Sequence, residues 1–82
     1  ALRAAARRFE DGAEKYGRDN WKKGIPLSRY IDSIYRHLWD FMDGDQEEDH
    51  LSAVIWNAMC LYETKDRIDE EVLPESLNDI GI

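Results

Sequence analysis

The chain has 82 residues, of which 43% are hydrophobic and 35% are charged, and its formal net charge is −7. This length and composition are typical of one small folded domain and exclude a disordered tail. The acidic balance argues against a polymeric nucleic acid as a partner, because phosphate binding needs a basic surface. No apolar run approaches membrane-spanning length, so a membrane is not expected as a partner either.

A chain of this size buries only a modest core, so we expect a homo-oligomer, either a dimer or a tetramer. Cys60 is the single cysteine. It cannot form an internal disulfide, which suits a reducing, cytoplasmic compartment, and we interpret it as a packing residue. We treat residues 1–82 as one helical domain with a peripheral C-terminal segment over residues 65–82. The sequence begins inside a helical pattern, which would suit an excerpt of a longer protein.

Helical periodicity predicts a first helix over Leu2–Tyr16 that ends at Gly17. Glu10 and Glu14 are one turn apart on this helix, and two carboxylates so placed could share a divalent cation. They could also form a solvated ladder of ion pairs with neighbouring arginines, and spacing alone favours that second interpretation. The buried face is expected to comprise Leu2, Ala5, Ala6, Phe9, Ala13 and Tyr16.

The next stretch, Arg18–Pro26, is predicted to be a loop, because Gly24 and Pro26 stop a helix from crossing it. Trp21 in this loop has two open interpretations. It either plugs the end of the core or offers a flat surface to a planar ligand, with Lys22 and Lys23 nearby for anionic groups.

A second helix is predicted over Leu27–Met42, closed by Gly44. Arg36 and His37 could bind a phosphate or a base, although a lone histidine at the edge of a core is usually structural. The expected core stripe comprises Leu27, Ile31, Ile34, Tyr35, Leu38, Phe41 and Met42.

A third helix is predicted over Glu47–Tyr62. Asp49 lies near its start, where the helix dipole favours a carboxylate. His50 and Asn57 are two turns apart and therefore share one side of the helix. This polar ladder is either a satisfied structural network or the wall of a site, and His50 with the adjacent carboxylates could hold Mg²⁺ or Mn²⁺. The expected apolar arc comprises Leu51, Val54, Ile55, Ala58 and Tyr62.

The remaining sequence turns polar, and we expect a short helical turn near Asp69–Leu73 followed by an extended tail. The alternation typical of strands is absent from the proposed segments. The sequence therefore predicts an all-α fold, a compact bundle of three main helices plus a short C-terminal turn and tail.

Three blocks of residues, in this order, carry a resemblance to a known family. They are GAEKYGRDNW at residues 12–21, the pair Arg36 and His37, and HLSAVIWN at residues 50–57. In this pattern the chain resembles the phage and bacterial dATP/dGTP diphosphohydrolase-like family. That family is a branch of the MazG-like all-α nucleoside triphosphate pyrophosphohydrolases. The three blocks cover roughly residues 9–61.

The resemblance implies a hydrolase that converts a purine deoxynucleoside triphosphate to the monophosphate and pyrophosphate, with Mg²⁺ or Mn²⁺ as cofactor. It would act in the cytoplasm of a bacterium or of a phage-infected host. Because the family's usual metal-binding pairs are incomplete in this chain, we reassign metal ligation to Glu10, Glu14 and Asp49, with His50 or Asp40 as a further ligand. The implied catalytic residues are Glu14, Lys15, Arg36 and His37. The implied nucleotide-binding residues are Tyr16, Asn20, Trp21, Lys22 and Asn57.

The chain departs from the wider superfamily at two positions. That superfamily carries an E-x-x-E pair and an E-x-x-D pair, whereas here Ala13 stands three residues after Glu10. Ala53 stands three residues after His50, where many relatives of this branch have a second histidine. Two alternatives to hydrolysis therefore stay open: a nucleotide-binding module that does not hydrolyse, and a structural helical interaction module.

Overall fold

The computed structural model describes residues 1–17 and 20–82, apart from the side chain of Tyr16. It contains three α-helices: α1 (Leu2–Tyr16), α2 (Leu27–Met42) and α3 (His50–Asp69). Short 3₁₀ turns lie at Asn20–Lys23 and Glu75–Leu77. No residue in the described ranges forms a strand, and the predicted all-α fold is confirmed. No helix in these ranges combines the length and apolar character that a bilayer crossing requires.

Helices α2 and α3 form an antiparallel hairpin. Tyr30 near the start of α2 contacts Thr64 near the end of α3, and His37 on α2 contacts His50 at the start of α3. Gly44 lies in the connection between α2 and α3 and has a φ of +84°. Glycine favours this conformation because it has no Cβ. The carboxylate of Asp49 then caps α3 by accepting a hydrogen bond from the backbone N–H of Ser52 at 3.1 Å.

The core lies between this hairpin and α1. Phe9 of α1 packs against Trp56 of α3, with ring centroids 5.7 Å apart. Cys60 is buried in the centre, which confirms its interpretation as a packing residue. The buried cluster comprises Leu27, Tyr30, Cys60 and Ile68, and the half-buried residues around it are Phe9, Trp21, Trp56, Leu61, Leu73 and Leu77.

The predicted buried faces of the helices are wrong in large part. Tyr35 and Met42 of the expected α2 stripe are 70% and 69% exposed, and Tyr62 of the expected α3 arc is 72% exposed. Other residues predicted to be buried are also exposed: Leu2, Ala6, Leu38, Phe41, Leu51 and Ala58. Periodicity shows that a helix has an apolar stripe, but it does not show whether that stripe meets the same chain.

The face of α3 that is buried instead carries several polar side chains. Burial of polar groups is tolerated when each finds a hydrogen-bond partner. The hydroxyls of Tyr30 and Thr64 lie 3.1 Å apart, and the amide of Asn57 donates to the carbonyl of Ala53 at 2.8 Å. The buried residues of α3 are His50, Ser52, Ala53, Asn57, Cys60, Thr64 and Ile68.

The C-terminal segment also differs from its prediction. Helix α3 continues past Tyr62 to Asp69, and the short helical turn lies at Glu75–Leu77 instead of Asp69–Leu73. The segment folds back on the bundle: a Cβ built at Gly24 would lie 3.0 Å from Leu73. Close packing against this glycine holds the segment beside the Asn20–Lys23 turn.

Candidate functional site

A cavity of about 580 Å³ lies between α1, the Asn20–Lys23 turn and the N-terminal part of α3. This volume falls within the range of small-molecule sites. The cavity combines aromatic rings with side chains of both charges. Its lining residues are Ala4, Arg7, Arg8, Phe9, Asp11, Gly12, Ala13, Gly17, Asn20, Trp21, Asp49, Ser52 and Trp56.

Aromatic side chains form the apolar part of the lining. Phe9 and Trp21 form a T-shaped pair, with ring centroids 5.2 Å apart and an interplanar angle of 65°. The ammonium group of Lys22 lies 5.8 Å from the Trp21 ring. The indole N–H of Trp56 is buried and has no acceptor within the described part of the chain. A buried donor without an acceptor costs free energy.

Arg8 connects α1 to the start of α3. Its Nε donates to the Ser52 hydroxyl at 2.8 Å, and its Nη2 donates to Glu48 at 3.1 Å and to the Asp49 carbonyl at 3.0 Å. The hydrogen bond from Arg8 lowers the pKa of Glu48, which keeps that carboxylate charged. Arg7 and Arg8 together give the cavity two guanidinium groups, which suit phosphate because they donate paired hydrogen bonds.

Two carboxylates, Asp11 and Asp49, also line the cavity. Asp49 uses Oδ1 in the helix cap, so its other oxygen is available for a further contact. Mg²⁺ and Mn²⁺ favour oxygen ligands, and magnesium commonly uses one or two carboxylates together with substrate phosphates. The donor chemistry of this pair therefore fits the cation that the sequence resemblance implies.

A second group of titratable side chains lies at the top of the hairpin, the end where α2 connects to α3. The Nδ1 atoms of His37 and His50 are 2.8 Å apart. One ring nitrogen of each histidine and a carboxylate oxygen of Glu48 lie within 4.8 Å of one another. His50 Nε2 contacts the carboxylate of Asp45. Both histidines are buried, and burial lowers the pKa of His37 and favours its neutral form.

The structure distributes the sequence-predicted site residues among several places. Asn20, Trp21 and Asp49 line the cavity, and His37 and His50 join the group at the top of the hairpin. Lys22 is half-buried beside Trp21, and Asn57 is buried and bonded to the Ala53 carbonyl. The side chain of Tyr16 lies outside the described residues. The predicted residues that are exposed and outside the cavity lining are Glu10, Glu14, Lys15 and Arg36.

The sequence did not predict a site role for Arg7, Arg8, Asp11 or Trp56. Arg7 and Asp11 carry a weak signal, since they are four residues apart and share one side of α1. Arg8 carries none, because its partners lie more than 39 residues away. Periodicity did not predict Trp56 to be on the buried face of α3.

The comparisons with known proteins bear on this arrangement. The family model described as dATP/dGTP diphosphohydrolase, N-terminal, matches residues 1–72. This range includes all three helices and every residue that lines the cavity. A search of the curated proteins and a search of the solved structures each returned no match.

Proposed function

Because the chain belongs to the dATP/dGTP diphosphohydrolase N-terminal family, we propose that it hydrolyses a purine deoxynucleoside triphosphate in the cavity beside α1. The products are the nucleoside monophosphate and pyrophosphate. One observation carries the proposal: a single cavity offers aromatic rings for a base, guanidinium groups for phosphates and carboxylates for a divalent cation.

The nucleoside is assigned to the aromatic end of the cavity. Trp21 lines the cavity beside Phe9, and its indole can stack on a purine. Asn20 lies beside it and can both donate and accept hydrogen bonds at the edge of the base.

The triphosphate is assigned to Arg7 and Arg8. Water attacks the α-phosphorus, and the bond from that phosphorus to the bridging oxygen breaks as pyrophosphate leaves. Negative charge grows on the leaving group, and guanidinium groups fixed in position stabilise it. Arg8 is fixed by Ser52 and by the Asp49 carbonyl, whereas Arg7 is exposed and can move to meet the substrate.

Asp11 and Asp49 are the residues that would hold Mg²⁺ or Mn²⁺ together with the phosphates. When bound, such a cation neutralises triphosphate charge and lowers the pKa of a coordinated water. The N-cap role of Asp49 fixes one of its oxygens, which positions the other without further side-chain motion.

The direct test measures pyrophosphate release from dATP, dGTP and the other common nucleotides, with Mg²⁺ or Mn²⁺. We expect turnover with a purine deoxynucleotide and none after the divalent cation is removed with a chelator. Binding by calorimetry without pyrophosphate release would instead establish the non-hydrolysing nucleotide-binding module. Neither binding nor release from any nucleotide would refute the proposal.

Two matched pairs of substitutions test the assignment of residues. Asp11→Asn removes a cavity carboxylate, and Glu10→Gln removes the exposed neighbour. Arg7→Gln removes a cavity cation, and Arg3→Gln removes an exposed one a turn earlier on the same helix. We expect Asp11→Asn and Arg7→Gln to reduce kcat/KM by about 100-fold and the two controls to leave it nearly unchanged. If Glu10→Gln alone caused a large loss of kcat/KM, the result would contradict Asp11 as the metal ligand and support Glu10, the ligand predicted from sequence.

We also propose that the chain works as a homo-oligomer. The support is the apolar surface of the hairpin, where Tyr35, Trp39 and Met42 of α2 and Leu51 and Tyr62 of α3 are exposed. Monomeric soluble proteins rarely expose large contiguous apolar patches. A second copy of the chain would cover this surface.

A further inference from the structure

We propose that His37, Glu48 and His50 form a binding site for a transition-metal ion of the Zn²⁺ class, distinct from the cation at the nucleotide cavity. Each residue offers one ligand atom, and the three atoms lie within 4.8 Å of one another. They come from α2, from the turn and from the first residue of α3. The site requires no nucleotide and does not depend on the proposed hydrolysis.

The geometry of the two imidazoles suits a shared ion. Their Nδ1 atoms face each other at 2.8 Å. Around a tetrahedral Zn²⁺ with bonds of about 2.0–2.1 Å, two nitrogen ligands are separated by about 3.3 Å. A small rotation of either ring would open that separation, and the ion would replace the hydrogen bond between the rings.

The surroundings of His50 resemble those of a metal ligand. Its Nε2 contacts the Asp45 carboxylate, so that nitrogen carries the proton and Nδ1 presents its lone pair. Metal-bound histidines almost always donate their second N–H to such a partner, which fixes the tautomer and increases ligand basicity. In the metal-free hydrogen bond His37 is then the Nδ1–H donor, and binding requires its proton to move to its own Nε2.

The donor set selects the class of ion. Two imidazoles and one carboxylate suit Zn²⁺ and related transition metals, whereas Mg²⁺ favours oxygen ligands alone. Three protein ligands leave a fourth position for water or another group. Both rings are buried, so few water molecules compete with the ion for these nitrogen atoms.

Such an ion would hold the hairpin together at its top. It would connect α2 to the start of α3 and fix Glu48, whose carboxylate also accepts a hydrogen bond from Arg8. Metal binding should therefore raise the melting temperature of the protein, since the ion binds only the folded arrangement. Through Glu48 and Arg8 the ion would also influence the wall of the nucleotide cavity.

The chain has only two histidines, which makes the test unambiguous. We suggest titrating the full 82-residue chain with ZnCl₂, and separately with MgCl₂, while recording calorimetry and the ¹⁵N spectrum of the imidazoles. We expect one Zn²⁺ per chain, coordination through Nδ1 of both rings, and retention of the His50 Nε2–H. Mg²⁺ should leave both ring spectra unchanged. Absence of Zn²⁺ binding, or coordination through Nε2, would overturn the proposal.

Substitutions give an independent readout. Glu48→Gln should weaken Zn²⁺ binding, whereas Glu47→Gln, the exposed neighbour, should not. Asp45→Asn should weaken it by about 10- to 100-fold, because it disturbs a residue that orients a ligand. If Glu48→Gln and Glu47→Gln bind Zn²⁺ with equal affinity, Glu48 is not a ligand. The ¹⁵N spectrum of the wild-type protein identifies the histidine ligands without a histidine substitution, which could prevent folding.

Discussion

At the scale of single residues, a buried hydrogen bond between Tyr30 and Thr64 joins the start of α2 to the last turns of α3. The two hydroxyl oxygens are 3.1 Å apart, and both residues are buried. Removing one partner leaves the other unsatisfied, so Tyr30→Phe and Thr64→Val should each lower the free energy of unfolding by about 1–2 kcal/mol. The double variant should lose less than the sum, with a coupling of about 1 kcal/mol. Urea unfolding of the four proteins measures this cycle.

Tyr35→Phe is the control for that cycle, because the Tyr35 side chain is exposed and its hydroxyl should contribute little. The pH dependence gives a second check. Burial raises the pKa of Tyr30 above its usual value near 10. The unfolded chain therefore loses this proton first, and the contribution of Tyr30 is full below pH 10 and is lost at higher pH. Tyr30→Phe should flatten this alkaline loss of stability; strict additivity in the cycle would disprove the coupling.

The thiol of Cys60 should be chemically inert in the folded protein. The residue is buried, and burial raises its pKa to about 12. Since the thiolate is the reactive form, labelling by a disulfide reagent near pH 8 should be slower than in the unfolded chain by roughly three orders of magnitude. The labelling rate in the absence and presence of denaturant measures this, with glutathione as the reference thiol. Similar rates in both conditions would mean that the centre of the hairpin opens freely.

Only the local part of the candidate site could be predicted from sequence. Asp49 was expected near the start of the third helix, and it caps α3 there because a carboxylate near the first backbone N–H groups is a local preference. Arg8 and the meeting of His37 with His50 are different, because those contacts join segments distant in sequence. Nothing in the local pattern specifies which helix faces which, so these contacts appear only once the chain is folded.

At the scale of secondary-structure elements, the start of α2 depends on the C-terminal segment. Pro26 at the N-cap provides no side-chain cap, and the Asp79 carboxylate instead accepts hydrogen bonds from the backbone N–H and hydroxyl of Ser28. Asp79→Ala should therefore lower the urea midpoint, and Asp79→Asn, which keeps one acceptor, should lie between it and wild type. An unchanged midpoint in Asp79→Ala would show that the segment does not support α2.

The same contact predicts a pH effect with a definite sign. The hydrogen bonds from Ser28 lower the pKa of Asp79 in the folded protein. The contact therefore contributes fully above the ordinary carboxyl pKa near 4, and its contribution is lost as the pH falls through the lowered value. The difference in midpoint between wild type and Asp79→Ala should accordingly shrink at acidic pH.

The bounds of two helices followed from sequence, whereas their orientation did not. Periodicity and the flanking glycines predicted Leu2–Tyr16 and Leu27–Met42, and the structure has these bounds. The inward face of α3 was mistaken because Leu51, Ala58 and Tyr62 make a stronger apolar arc than the face that is buried. An apolar stripe indicates burial against something, and the amino-acid pattern does not distinguish the same chain from another copy.

At the scale of the whole molecule, the outward apolar stripes of α2 and α3 predict self-association. Tyr35, Leu38, Trp39 and Met42 follow helical spacing along α2 and are exposed. Ile31 of α2 lines one groove with Ala58 and Tyr62 of α3, so the two stripes adjoin at that end of the hairpin. Burying such a surface in a second copy would stabilise the assembly by about 25 cal/mol for each Å² of apolar area removed from water, before the cost of association.

Met42→Lys places a charge in this surface and should dissociate the oligomer. Its side chain is 69% exposed within the chain, so helical content by circular dichroism should be unchanged. Gln46→Lys adds the same charge at an exposed position in the turn and should leave assembly intact. Sedimentation over a wide concentration range measures the outcome, with the 9.6-kDa monomer as reference. If the wild-type chain sediments as this monomer at high micromolar concentration, self-association is rejected. The apolar surface would then bind a different protein.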